Sequence, residues 1–331
     1  MITTRVLTGF EDPSFSRDDW DQLLARGCSD VIALTWAWQK AWWDCYGEGK
    51  LLLILAMRDG HPVALAPLFS DKGMVFNLYI KETLDFIGDT RDPEVMVALL
   101  QTARREVESF HGFRFYFIPE DSPTFSALNQ AAGQIGYRFY DEGTIPSPFL
   151  EVEAKPEEAS RISRKKSLRS HENYFLRNGE LEVLHLNSLG DVSLYFDDFV
   201  EQHVRRRSVL PDPSPLADSR HREFYTALMK ASCEPGWFLF TRVAWKGNAI
   251  AYAYSFVYKG RYLFLITSFN LDLVDHSPGE VLLKNLLAHA IQSRLAIFDF
   301  GIGDEAYKYR FSTAVRQLHT VGLYPEKSLS H

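Results

Sequence analysis

Short apolar runs closed by an X-Gly pair recur along the chain and predict strands at residues 51–57, 62–69, 74–80 and 83–87, with Asp59-Gly60 and Lys72-Gly73 as turns. Strands so closely spaced imply an antiparallel meander. Helical periodicity precedes them at 20–24 and at 35–46, where Thr35 is placed to cap. The second of these helices carries Trp38, Trp42, Trp43 and Tyr46 at three- and four-residue spacings, a stripe read as core. After the meander, Asp92-Pro93 opens a helix reaching about residue 110, followed by a buried strand at 113–118, a helix at 123–135 and a strand at 137–140.

From Ser160 the pattern turns basic. Arg161, Arg164, Lys165, Lys166, Arg169 and Arg177 lie on one helix, read as a solvated face, and a strand follows at 181–186. Helices at 192–207 and 220–232 flank the loop Pro211-Asp212-Pro213-Ser214-Pro215, whose prolines interrupt helix. Strands at 237–245, 249–258 and 261–269 then turn at Lys246-Gly247 and Lys259-Gly260. A helix opened by Ser277-Pro278-Gly279-Glu280 runs to 294, and a strand at 296–300 breaks at Gly301 and Gly303 into a charged turn carrying Tyr307 and Lys308. The order strand, strand, strand, helix, strand thus occurs twice, which implies a tandem duplication. The first copy has Thr90-Arg91-Asp92-Pro93 at the helix start and Ile118-Pro119-Glu120-Asp121 at the final turn, so only the second is expected to keep chemistry.

Composition narrows the class. A chain of 331 residues with 46% hydrophobic and 14% aromatic residues has material for two ordinary cores. A net charge of −7 argues against a broad nucleic-acid footprint while allowing a local basic patch. Cys28, Cys45 and Cys233 are odd in number and in no ligand spacing, which reads as free thiols in a reducing cytoplasm. The first residues do not form a secretory signal, and no apolar run reaches the roughly 18 residues of a membrane span. No histidine pair has metal-ligand spacing, so no metal is expected, and no nucleophile-elbow, Walker or dinucleotide glycine motif occurs.

The candidate chemistry lies between residues 277 and 308. A helix start offers unpaired N–H groups and partial positive charge, suited to a phosphate, and Gly279 leaves the backbone open; equally, Ser277 and Glu280 make an ordinary capping box. Asp299 interrupts an apolar strand and needs a partner, for which Lys308 is the candidate; it is either a structural ion pair or a group acting on a reacting amine. Glu305 is a solvated charge or a second base, and Tyr307 packs or donates a proton. His203, Arg205, Arg206 and Arg207 end a helix, where cations suit the dipole or grip an anion.

Residues 247–308, with Ala249-Ile250-Ala251-Tyr252, Lys259-Gly260-Arg261-Tyr262, Ser277-Pro278-Gly279-Glu280 and the run from Asp299-Phe300-Gly301 to Tyr307-Lys308, resemble the CelD-type branch of the GNAT acyltransferases. The likeness covers roughly 155–325, and the branch is similar to the Fem-type aminoacyl-tRNA-dependent transferases. The resemblance implies an α/β (α+β) fold of tandem GNAT-like domains, each a mixed, mainly antiparallel sheet flanked by helices. On that view 1–154 is a degenerate copy that shapes an acceptor cleft, and 155–331 is the acyltransferase domain.

It also implies transfer of an acyl group, acetyl by expectation, from acyl-CoA to the primary amine of a small metabolite or amino sugar. Asp299 and Glu305 are then candidate bases, Lys308 stabilises developing negative charge, and Tyr307 or Tyr254 protonates the thiolate. Ser277, Gly279 and Glu280 would hold the donor, while His203, Arg207 and Tyr254 face the acceptor. The several-glycine phosphate loop of single-domain members is missing. Aminoacyl-tRNA as donor, or a non-catalytic role in polysaccharide synthesis, are the alternatives.

Overall fold

The computed structural model describes residues 1–79 and 81–326. Chain contacts divide the protein into two compact units, Met1–Pro146 with the segment from Arg316, and Ser147–Val315. The sequence reading draws the boundary at 154 and 155; the contacts draw it at 146 and 147 and return the last strand to the first unit.

The first unit begins with a strand absent from the sequence expectation, β1 (Ile2–Leu7), then α1 (Arg17–Ala25) and α2 (Trp36–Tyr46), capped by Thr35 as expected. β2 (Lys50–Arg58), β3 (His61–Asp71) and β4 (Met74–Asn77) form the antiparallel meander. Of the run expected at 83–87 only β5 (Ile87–Gly88) is strand, and Ile80, the end of the run expected at 74–80, lies outside the described residues. α3 (Pro93–Arg105) crosses over to β6 (Gly112–Pro119), which pairs with β4 in parallel, and α4 (Pro123–Gln134) leads to β7 (Tyr137–Glu151). The C-terminal strand, Ala314–Pro325, also unforeseen, lies between β6 and β7. Leu99, Leu100, Leu128 and Ala131 from α3 and α4 pack on one sheet face. Of the aromatic stripe, Trp38 (1% exposed) and Trp42 (7%) are core, while Trp43 and Tyr46 are half-buried.

The second unit takes up the chain at the end of β7. Its basic helix is two, α5 (Pro156–Ser163) and α6 (Lys166–Asn178), and the helix expected at 192–207 is also broken, into α7 (Leu189–Ser193) and α8 (Phe196–Arg207). Between these pairs runs β8 (Leu181–Leu186), and α9 (Ser219–Cys233) follows. β9 (Phe238–Trp245), β10 (Asn248–Tyr258) and β11 (Arg261–Phe269) repeat the meander. α10 (Pro278–Gln292) then crosses to β12 (Ile297–Asp299), which pairs with β11 in parallel. The charged turn expected after Gly303 contains a further short helix, α11 (Ala306–Phe311).

The strand order is β7-β12-β11-β10-β9-β8, with only β11 and β12 parallel. Leu168, Phe175, Leu283 and Leu286 from α6 and α10 cover one face; Phe199 and Phe224 from α8 and α9 are likewise buried.

Both meanders turn at X-Gly pairs with positive φ at both residues: Asp59 50° and Gly60 82°, Lys246 51° and Gly247 80° in the first hairpin of each; Lys72 46° and Gly73 80°, Lys259 49° and Gly260 75° in the second. Their spacing along the chain is identical in the two units. Among the described residues no helix is long and apolar enough to cross a membrane.

Candidate active site

β11 and β12 pair for three residues, from Arg261 opposite Ile297 to Leu263 opposite Asp299, and then part. Two residues further on, the register against β10 passes from Ser255–Phe264 to Tyr254–Ile266, so Leu265 is an extra residue. A bulge bends and twists its strand. β11 therefore continues to Phe269 beside β10 alone, and the sheet opens at the carboxyl ends of two parallel strands, where open α/β sheets place ligands. Three groups surround the opening: the end of β11, the start of α10, and the turn after Asp299.

The start of α10 departs from the expected capping box. Ser277 sits in the left-handed region at φ 53° and its side chain makes no cap bond. Its carbonyl accepts from Glu280 N at 2.9 Å and Val281 N at 3.3 Å. Glu280 turns sideways, 3.1 Å from His171 Nδ1 and 3.2 Å from an Arg310 guanidinium nitrogen, tying α10 to α6 and α11. A Cβ added at Gly279 would stand 3.2 Å from the ring of Phe269, so the glycine admits the close approach of helix and strand.

Asp299 is buried, but its partner is not Lys308. Its Oδ2 accepts from Arg261 at 2.7 Å and its Oδ1 from Gly301 N at 2.9 Å, with Ser147 Oγ 3.4 Å away. Arg261 enters β11 beside β12, so the structural ion pair is the arrangement present. Lys308 is buried too, and donates to Gly301 O at 3.2 Å and Ile302 O at 2.9 Å while pairing with Glu305 at 2.9 Å. An ammonium has three donors, and these contacts use all of them. Lys308 thus clamps the turn instead of offering charge to a reacting oxygen, as the sequence reading had it.

Glu305 keeps 58% of its side chain exposed beside that ammonium. Tyr307 exposes 38% of its surface, and its phenol is pushed up to about 12 by desolvation first and then by Glu305, against the opposing charge of Arg206.

The remaining expectations divide. His203 is 6% exposed, its Nδ1 is 2.7 Å from Ser214 Oγ, and burial, then Arg206 and Arg207, push its pKa down to about 4. It is a neutral core histidine and does not face a substrate. Tyr254 is wholly buried and donates to Tyr225 O at 2.6 Å, which removes it as proton donor or acceptor contact. Arg207 donates to Asp212 O at 3.0 Å and anchors the proline loop.

Arg206, one of the helix-end cations noted in the sequence but not assigned to the site there, comes to it in the fold. Its guanidinium lies 4.3 Å from the Phe269 ring centroid and donates to Thr267 O at 2.6 Å. Phe199, His203 and Arg206 fall on one helical face, a stripe that was available in the sequence.

Residues 163–309 match the acetyltransferase (GNAT) domain family, which places the match in the second unit. Among solved structures the chain is similar to FemX, with a TM-score of 0.66 at 12% identity over 94% of this chain and 96% of that one. It is similar also to the C-terminal domain of a putative lysylphosphatidylglycerol synthetase from Agrobacterium fabrum, with a TM-score of 0.56 at 12% identity over 93% and 92%. A tandem GNAT protein from the clavulanic acid biosynthesis pathway gives 0.52 at 11% identity over 98% of each chain. No curated protein matches the sequence. The fold is a tandem GNAT-like one, mixed α/β, with mainly antiparallel strands flanked by helices in each unit.

Proposed function

We propose that the chain is an N-acyltransferase that moves an acyl group, acetyl in the simplest case, from acyl-CoA to a primary amine of a small metabolite or amino sugar. Its motifs align it with the CelD-type branch, with the transfer assigned to 155–331 and a supporting role to 1–154. The observation that carries this reading is the opening between β11 and β12, inside the segment that matches the acetyltransferase domain.

An acyl-CoA fits that opening in kind. The start of α10 has no side-chain cap, and the cations Arg206 and Arg310 stand near it, a setting suited to a pyrophosphate.

In the transfer, the amine nitrogen bonds to the thioester carbonyl carbon, the C–S bond breaks, and a nitrogen proton passes by way of Tyr307 to the departing thiolate, all of it after the ammonium has given up its first proton. Glu305 takes that proton, directly or through water, with Lys308 fixing the turn that presents it. Tyr307, protonated at neutral pH, returns a proton to the thiolate. Asp299 serves by holding the end of β12 and the glycine turn in place.

Calorimetric titration with acetyl-CoA and with CoA tests the reading. Micromolar binding to the intact chain, weakened at least tenfold by Gly279→Asp, is expected. Binding indifferent to that change removes the donor from the start of α10.

Similarity of fold to FemX supports a second reading, in which aminoacyl-tRNA is the donor and α5 and α6 carry it. Arg164, Lys166, Arg169 and Arg177 are exposed there. That reading requires tRNA binding that weakens steeply with salt. Turnover of any amine excludes a purely non-catalytic role.

A further inference from the structure

A cavity of about 520 Å³ lies within the second unit, lined by Asp198, Glu201 and Arg205 of α8, Arg242 of β9, Tyr252 of β10 and Phe269 at the end of β11, among others. Its volume falls in the range of small-ligand sites, roughly 300–1,000 Å³. None of these residues but Phe269 belongs to the donor opening described above.

The charges on its wall are unevenly matched. Arg205 pairs with Asp272 at 2.7 Å. Arg242 pairs with Glu182 at 2.9 Å, donates to Gly247 O, and lies over the ring of Tyr195 at 4.8 Å. Both cations are therefore already compensated by carboxylates outside the lining. The acids are not: Asp198 accepts only a neutral donor, the Tyr252 hydroxyl at 2.6 Å, and Glu201 has no ion pair among the described residues. Gln202 and Ser268, bonded to each other at 2.6 Å, brace the wall between α8 and β11. The lining thus has two exposed carboxylates with no cationic partner among the described residues and guanidinium groups already paired, with the aromatic Tyr252 beside them.

The cavity adjoins the opening. Phe269 lines it, carries Arg206 on its face and meets the position of Gly279, and α8 supplies walls to the cavity and Arg206 to the donor side.

We infer that this cavity is the acceptor pocket, and that it takes a small polar metabolite by its protonated primary amine, held by Asp198 and Glu201. The assignment rests on the acyltransferase reading and adds to it the charge state and place of the acceptor. A carboxylate pair collects the amine in the form that prevails at neutral pH, before Glu305 takes up the proton.

The test titrates the full-length chain, without acyl donor, with ethanolamine, D-glucosamine and spermidine, each against an uncharged counterpart: ethylene glycol, D-glucose and triethylene glycol. At least one ammonium probe is expected to bind tenfold or more tighter than its counterpart. The preference is expected to vanish in Asp198→Asn/Glu201→Gln, and to fall in the single variant Glu201→Gln, whose exposed side chain the fold does not need. No preference for any ammonium probe overturns the inference, as does a preference that survives in the double variant. Acetyl-CoA titrated into the same proteins separates the two claims. Donor binding with no amine preference sinks the pocket alone, and amine preference without donor binding sinks the acyl-CoA reading alone.

Discussion

In the first unit β4 pairs in parallel with β6 from Met74 to Phe76, and the next residue, Asn77, sutures the strands: its amide donates to Tyr116 O and accepts from Tyr116 N, both at 3.0 Å. Leu84 N then bonds Phe117 O at 3.1 Å. In the second unit β11 and β12 also pair over three residues, but a bulge follows and β11 runs on alone.

The helix starts differ in the same sense. Asp92 caps α3 by accepting from Glu94 N at 2.9 Å and is held by Arg58, whereas α10 has no side-chain cap and its Glu280 is drawn aside. At the final turn, Glu120 of the first unit accepts from Gln317 N at 3.0 Å, while Glu305 of the second faces solvent beside Lys308. The first crossover is thus tied across its strand ends by Asn77, while the second pairs its polar groups around an opening that the bulge in β11 leaves, with the same topology in both.

The largest effect that separates the two is catalytic. Glu305→Gln is expected to lower kcat by about 10²- to 10⁴-fold, the usual share of a general base, while Glu120→Gln leaves it unchanged. Steady-state kinetics on the pair would dissolve the contrast if both variants behaved alike.

Next comes Asp299→Ala, which strands Arg261 beside β12. About 3 kcal/mol of stability should go, the low end for a broken buried pair because Arg261 keeps 22% of its side chain in water. Urea unfolding measures it, and a loss under about 1 kcal/mol would show that the pair does not hold the turn.

The suture of the first unit is the counterpart. Asn77→Ala leaves Tyr116 N and O without partners and is expected to cost about 2 kcal/mol, with no effect on kcat. Activity lost in that variant would mean that the first unit's crossover is not silent.

Acid should separate the units by a smaller margin. His203 is protonated in the unfolded chain near 6.5 but in the fold only near 4, so the unfolded chain binds more protons between those values. The second unit accordingly loses stability as pH falls from 6.5 to 4, by at most about 1.4 kcal/mol per pH unit, and is unaffected above that window. His185, also pushed down to about 4 by burial and His289, adds less because solvent screens it.

The first unit has the opposite bias. Asp85 is fully buried and its pKa is raised by burial, against bonds from Ser122, Ser29 and Thr124, so acid favours its folded form. Hydrogen exchange from pH 7 to 4 should therefore weaken protection in the second unit first; parallel loss in both would refute the difference.

Hydrophobic alternation and X-Gly turns were enough to read both meanders, because a hairpin is set by residues adjacent in sequence. The same local signals marked Ser277 to Glu280, Asp299 and Lys308 as unusual. Sequence order also carried the repeat of elements, since the turns recur at one spacing.

What it did not carry was who meets whom. Asp299 takes Arg261 because two parallel strands bring together residues 38 positions apart, and Lys308 is used up by carbonyls that only a folded turn presents. β1 and the C-terminal strand went unread because each is fixed by pairing with a distant partner and has no flanking turn of its own. The sequence alone makes His203 and Tyr254 look like contacts, since nothing local tells an inward helical or strand face from a cleft. Which of two like crossovers stays open was likewise decided in three dimensions, by one asparagine reaching across and one bulge turning away.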